Sequence, residues 1–235
     1  MTPLPAFVSY EFAGRKEFCL SAGDMSSHRV MLLPPLFDEM NRMRKLMVDV
    51  MRELDSLGIG SFLPDLPGTN ESLAAPERIT LSDWKTAVQT CAQHHQISHF
   101  ASFRGGALAV PEMASARHWI FSPVKGATIL RTMMRTKVAA DREAGRNTSI
   151  KDLSAQAETG TLELAGNMIG PELFRQLQAA QIPERERQRT IRLESDPKPA
   201  DARIPGSALW LRAEPDDDPV LSVAIARDIA DWIAA

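Results

Sequence analysis

Phe100-Ala101-Ser102-Phe103-Arg104-Gly105-Gly106-Ala107 reads as an apolar strand that ends in a sharp turn between small residues. In a G-x-S-x-G nucleophile elbow, a strand-to-helix turn of this kind holds a serine in a strained backbone conformation, and the small flanking residues let neighbouring backbones approach closely. Here arginine, Arg104, occupies the nucleophile position. In that arrangement the histidine comes last in chain order, yet the last histidine of this chain is His118. These two independent absences argue against Ser-His-Asp chemistry, and no catalytic residue is assigned.

Working outward from the turn, short apolar strands alternate with helical patterns. Arg29 to Leu33 is a compact apolar run stopped by Pro34-Pro35, and Met40, Met43, Met47, Val50, Leu54 and Leu57 follow at helical spacing until Gly58. Ile59 to Leu63 forms the next strand, which completes a β-α-β unit. Leu81, Trp84, Val88 and Cys91 share one helical face and lead into the strand Ile97 to Phe103. The repeated alternation predicts an α/β fold with a doubly wound, mostly parallel sheet.

Beyond the turn, a helix is expected from about Gly106 to Ala116, kinked or shortened by Pro111, and then a strand from His118 to Phe121. Residues 125–183 are helical in pattern except for Leu162 to Ala165, and read as a helical lid inserted over the carboxyl edge of the sheet. Thr190 to Glu194 and Ala208 to Leu211 are expected as the last strands, with Pro197, Pro199 and Pro205 confining their connection to a loop. Leu221, Ile225, Ile229, Trp232 and Ile233 mark a closing amphipathic helix. Asp216-Asp217-Asp218 reads as its N-terminus, with Pro219 at a first helical position.

The 235 residues, 44% hydrophobic and 24% charged, suit one domain spanning 1–235 that buries its own core. A net charge of -3 gives no electrostatic reason to expect nucleic acid or an acidic membrane surface. Arg42, Arg44 and Lys45 cluster, as do the arginines from Arg185 to Arg192, but Glu184 and Glu186 interleave with the second group, and both read as solvated surface. Cys19 and Cys91 lie far apart without metal spacing, and suggest reduced thiols in a cytoplasmic protein. No stretch is long and apolar enough to predict membrane insertion or secretion. His94, His95 and His99 lack a completing ligand at i+3 or i+4, so zinc is not expected, and no cofactor is implied.

Several stretches carry a resemblance. Met31 to Arg42 (MLLPPLFDEMNR), Asp65 to Ser72 (DLPGTNES), the arginine turn, His118 to Gly126 (HWIFSPVKG), Thr161 to Gly166 (TLELAG) and Gly206 to Trp210 (GSALW) together resemble the second of the two hydrolase-like families associated with the exosortase A system. The resemblance covers nearly the whole chain. It implies an α/β-hydrolase fold and a bacterial setting linked to exopolysaccharide production and protein sorting, without implying a reaction. That family often carries arginine at the elbow with glycine two residues earlier, where this chain has Ser102.

The candidate site is a ligand-binding set of Arg104, Gly105, Leu36, Phe37, Glu39 and Asn41. A guanidinium where a strand feeds a helix suits a carboxylate or phosphate, since its fork can give two hydrogen bonds. The alternative is a buried ion pair between Arg104 and Glu39 or another carboxylate, because a charge at this depth must be paired. The backbone of Leu36 and Phe37 lies where hydrolases place the oxyanion loop. Glu39 and Asn41 serve either a ligand or the start of the following helix. Asp65 reads as architectural, and Ser102 and Cys91 as packing residues. The leading expectation is a triad-less protein binding an anionic or acyl-bearing small molecule. The alternatives are a hydrolase or acyltransferase in which Glu39 or Asp65 activates water, and a structural subunit that binds a protein partner or forms a homodimer through Ile129, Leu130, Met133 and Met134.

Overall fold

Strand β3 (His28–Leu33) is buried on both faces because alternate residues feed different cores. Val30 and Leu32 face one apolar cluster, and Met31 and Leu33 face the other. The computed structural model describes residues 5–23 and 25–235. Its main sheet has eight strands, in the order β1-β2-β4-β3-β5-β6-β9-β10. They are β1 (Ala6–Phe12), β2 (Arg15–Ala22), β3, β4 (Ile59–Pro64), β5 (His99–Phe103), β6 (Arg117–Phe121), β9 (Gln188–Leu193) and β10 (Ala202–Ile204). Only β2 runs antiparallel to its neighbours; the others are parallel from β4 through β10.

Helices cover both faces. On one, α1 (Asp38–Ser56) presents Met40, Met43, Met47, Val50 and Leu54, and packs with α6 (Pro219–Ala234). Each such fully buried side chain contributes about 2 kcal/mol. On the other face lie α2 (Leu81–His94), α3 (Gly126–Glu143) and α5 (Pro171–Ala179). The N-terminus of α2 is fixed by a reciprocal capping box between Thr80 and Asp83. The start of α6 is set by Asp218, whose carboxylate accepts the Leu221 N–H, with Pro219 as first helical residue. Between β6 and β9 the chain inserts α3, α4 (Ile150–Thr159), a two-stranded hairpin of β7 (Leu162–Leu164) and β8 (Asn167–Ile169), and α5.

Three local expectations change. Residues 6–22 form the β1–β2 hairpin, for which no strand is expected from sequence. The stretch after the elbow makes only a short 3-10 helix, Arg104–Leu108, and no longer helix to Ala116. Ala208 to Leu211 is not a strand: Leu209–Leu211 is a 3-10 turn, and the edge strand is Ala202–Ile204 instead. Among the described residues no helix is long and apolar enough to cross a membrane.

Candidate functional site

The chain leaves β3 for one side of the sheet and returns with β5 on the other, so the crevice at the carboxyl ends of β3 and β5 is a switch point, where open α/β sheets bind ligands. Register converges the loops there. Leu33 pairs with Ser102 and Phe103 pairs with Phe121, so the turns beginning at Pro34, Arg104 and Ser122 emerge side by side.

Arg104 holds φ +54° and Phe37 φ +58°, left-handed values that non-glycine residues rarely adopt. The elbow backbone is therefore strained although its side chain is arginine. Gly106 allows the fit: a Cβ there would lie 2.3 Å from the Pro34 carbonyl oxygen and 2.6 Å from that of Leu33. Gly105 sits against Leu36 and Ile129, where a Cβ would come within 2.5 Å of Ile129 Cδ1.

The guanidinium is held from every side. Arg104 Nε donates to Glu39 Oε2 at 3.1 Å and Nη2 to Glu39 Oε1 at 2.8 Å, a bidentate pair. Nη1 donates to the Ser122 carbonyl at 2.9 Å. The Trp210 ring lies 4.2 Å from the guanidinium carbon. Trp210 is itself fixed, because Arg42 Nη1 donates to its carbonyl at 2.9 Å while Arg42 pairs with Asp38 at 2.8 Å. Arg104 and Glu39 are both largely buried.

Trp210 comes from the loop after the last strand, the stretch that supplies the histidine when a triad is present. The loop after β9 carries Asp196, but its carboxylate accepts from Arg192 Nη1 at 2.7 Å and from the Lys198 N–H. The three loops thus carry the Arg104 guanidinium, the Trp210 indole and the locally paired Asp196 carboxylate. Trp210 falls within the Gly206 to Trp210 motif, but no local spacing announces that its ring covers Arg104.

A cavity of about 250 Å³ lies beside this cluster. Leu36, Phe37 and Asn41 line it; Arg104, Gly105 and Glu39 do not. The Asp65–Ser72 loop adds Gly68, Thr69 and Asn70, and the inserted hairpin and α5 add Asn167, Met168 and Leu173. Trp84 forms part of the wall, fixed by donation from Nε1 to the Pro67 carbonyl at 2.9 Å and by the Phe37 ring 5.8 Å away. Asn70 bridges the Asp65 carboxylate and Arg44, and burial raises the Asp65 pKa from its ordinary value. Among the described residues no charged side chain lines the cavity. Ser102 and Cys91 are buried in the core, and among the described residues no three His, Cys, Asp or Glu side chains converge as a metal-ligand set.

No protein-family model and no curated protein matches this sequence. Solved structures do resemble it along its whole length. Est1E from Butyrivibrio proteoclasticus, solved with ferulic acid bound, superposes with a TM-score of 0.65 at 14% identity, covering 97% of this chain and 100% of that one. DcsB in complex with a substrate analogue gives 0.62 at 12% identity, with 98% of each chain covered. A proline iminopeptidase-related protein from Thermus thermophilus gives 0.61 at 14% identity, covering 99% of this chain and 98% of that one. With the strand order and the elbow described above, these likenesses show that the chain has the α/β-hydrolase fold.

Proposed function

We propose that this α/β-hydrolase-fold protein is a binding protein without triad chemistry, and that it takes the acyl or aromatic end of a small molecule into the cavity between the Leu36–Phe37 loop and the inserted hairpin. The observation that carries this reading is the closed Glu39–Arg104–Ser122–Trp210 cluster where a nucleophile would stand. A guanidinium has no electron pair with which to attack a carbonyl, and its anion-binding face is already taken by Glu39. The neighbouring cavity, walled by Leu36, Phe37, Trp84 and Met168, favours an uncharged ligand, with Asn41 and Asn167 as amide partners. At about 250 Å³ it suits a short acyl chain or one aromatic ring. Residues 125–183 act as the cover; the resemblance to the exosortase-associated family supports a ligand from exopolysaccharide production, and the free thiols of Cys19 and Cys91 support a cytoplasmic setting.

The competing reading, a hydrolase in which Glu39 activates water, has less support. Both Glu39 oxygens accept from Arg104, and carboxylates alone lack the proton shuttle and covalent step of an efficient esterase. Phenyl butyrate separates the two. In a binding protein it shifts the methyl NMR signals of Met40 and Met168, leaves exposed Met25 unchanged, and releases phenol no faster than buffer does. Phenol release above that background, lost in Glu39→Gln, would establish the enzyme instead; unshifted Met40 and Met168 signals at saturating ester would remove the binding site.

A further inference from the structure

At the opposite pole of the sheet, where β6 and β9 begin, the loop after the elbow and the segment before β9 border a second cavity, an open cleft of about 620 Å³. His118, Arg185, Met113, Ala116 and Pro183 line it, with Glu112, Glu184, Glu186 and Arg187 exposed at its rim. Sequence alone reads Arg185 as part of a solvated charge run, but its side chain is partly buried. Among the described residues it has no ion pair, and its one hydrogen bond is a long 3.4 Å contact from Nη2 to the Val110 carbonyl. Among the described residues, Arg185 Nη1 is buried without a hydrogen-bond partner, and so is Nδ1 of His118, a residue only 5% exposed. Buried polar atoms are normally satisfied, and a guanidinium left without an acceptor is disfavoured.

We infer that this cavity is a binding site for a small monocarboxylate, whose oxygens accept from the Arg185 guanidinium beside His118 while a short apolar tail lies on Met113, Ala116 and Pro183. Arginine forks match a carboxylate with two parallel hydrogen bonds. The apolar wall supplies the selectivity. Met113, Ala116 and Pro183 can cover the tail of a short monocarboxylate, whereas inorganic phosphate has no apolar part to bury there. Glu112, Glu184, Glu186 and Arg187 are exposed at the rim, so solvent screens their charges and they change the attraction little. This site shares no residue with the Leu36–Phe37 cavity and does not rest on the function proposed for it.

The test is a titration of the full chain, labelled at histidine, with sodium butyrate and separately with inorganic phosphate at constant ionic strength, followed by the His118 ring NMR signals. Butyrate should produce a saturable shift at His118 and none at Met168. Arg185→Gln should weaken butyrate roughly ten- to a hundredfold, and Arg185→Lys, which keeps the charge but not the fork, should fall between the two. Retained thermal unfolding midpoints show that both variants are folded. Equal butyrate affinity in Arg185→Gln, absence of a saturable His118 shift, or tighter binding of phosphate than of butyrate would each overturn the assignment.

Discussion

Two arginines at opposite poles of one sheet receive opposite treatment. Arg104, at the carboxyl ends of the strands, has a bidentate carboxylate, a backbone carbonyl and an indole face. Among the described residues Arg185, at the amino ends, has one stretched bond to a carbonyl and a buried Nη1 with no acceptor. The guanidinium at the carboxyl ends is therefore fully partnered, while the one at the amino ends keeps a donor unpaired among the described residues. The position of a charge in a known fold does not by itself say whether it is available; its partners do.

The largest expected effect comes from breaking the closed cluster. Glu39→Ala leaves the Arg104 charge buried against only Ser122 and Trp210, and should cost about 3 to 5 kcal/mol of unfolding free energy in urea. Replacing both partners by apolar residues, Glu39→Leu with Arg104→Met, should recover most of that loss, since exchange of a buried pair for well-packed apolar groups is often near neutral. A double variant no more stable than Glu39→Ala would show that the ion pair is not the source. Gly106→Ala comes next, at about 3 kcal/mol, because its Cβ would meet the Pro34 and Leu33 carbonyl oxygens, which cannot turn aside as a side chain would.

The open pole should respond to acid. Burial, and then the Arg185 charge, lower the His118 pKa from 6.5 to about 4. The folded chain therefore holds this ring neutral where the unfolded chain protonates it. Its contribution to stability is complete above pH 6.5 and is lost as pH falls from 6.5 to about 4. We expect a loss of about 2 kcal/mol across that window, less than the full linkage value because the site opens to solvent. Urea unfolding at stepped pH checks it: His118→Phe should flatten this part of the profile, and an unchanged slope would assign it to other groups.

Much of the fold was legible in the sequence, and the misses have physical causes. From β3 through β5, apolar runs and a stripe at helical spacing mark a β-α-β succession that the topology confirms. The β1–β2 hairpin was hidden because its inward residues are not an apolar set: Glu17, Cys19 and Ser21 are buried on β2, while Phe7 on β1 is 64% exposed. Period-2 hydrophobicity cannot reveal a strand whose buried face is polar. Ala208 to Leu211 has strand-like composition, but Ser207 hydrogen-bonds to Asp218 and the segment turns so that Trp210 reaches Arg104. At the site, Arg104 at the elbow was readable from its flanking glycines, and Glu39 was one named partner among the alternatives. The Trp210 cover and the Arg185 pocket were not readable, since both depend on residues brought together across the sheet.

The smallest effect should come from the arginine with the fewest partners. Arg185→Met removes a partly buried charge that has no ion pair among the described residues, and its thioether can occupy the space of the guanidinium stem beside Met113 and Pro183. Nothing is orphaned by the change except the Val110 carbonyl, which held only a 3.4 Å contact. Stability at neutral pH should therefore move by no more than about 0.5 kcal/mol, with either sign. Because Arg185 also depresses His118, the same variant should raise the His118 pKa and soften the acid slope. A loss comparable to that of Glu39→Ala would mean that Arg185 holds the amino pole together as Arg104 holds the carboxyl pole, and the contrast between the two would disappear.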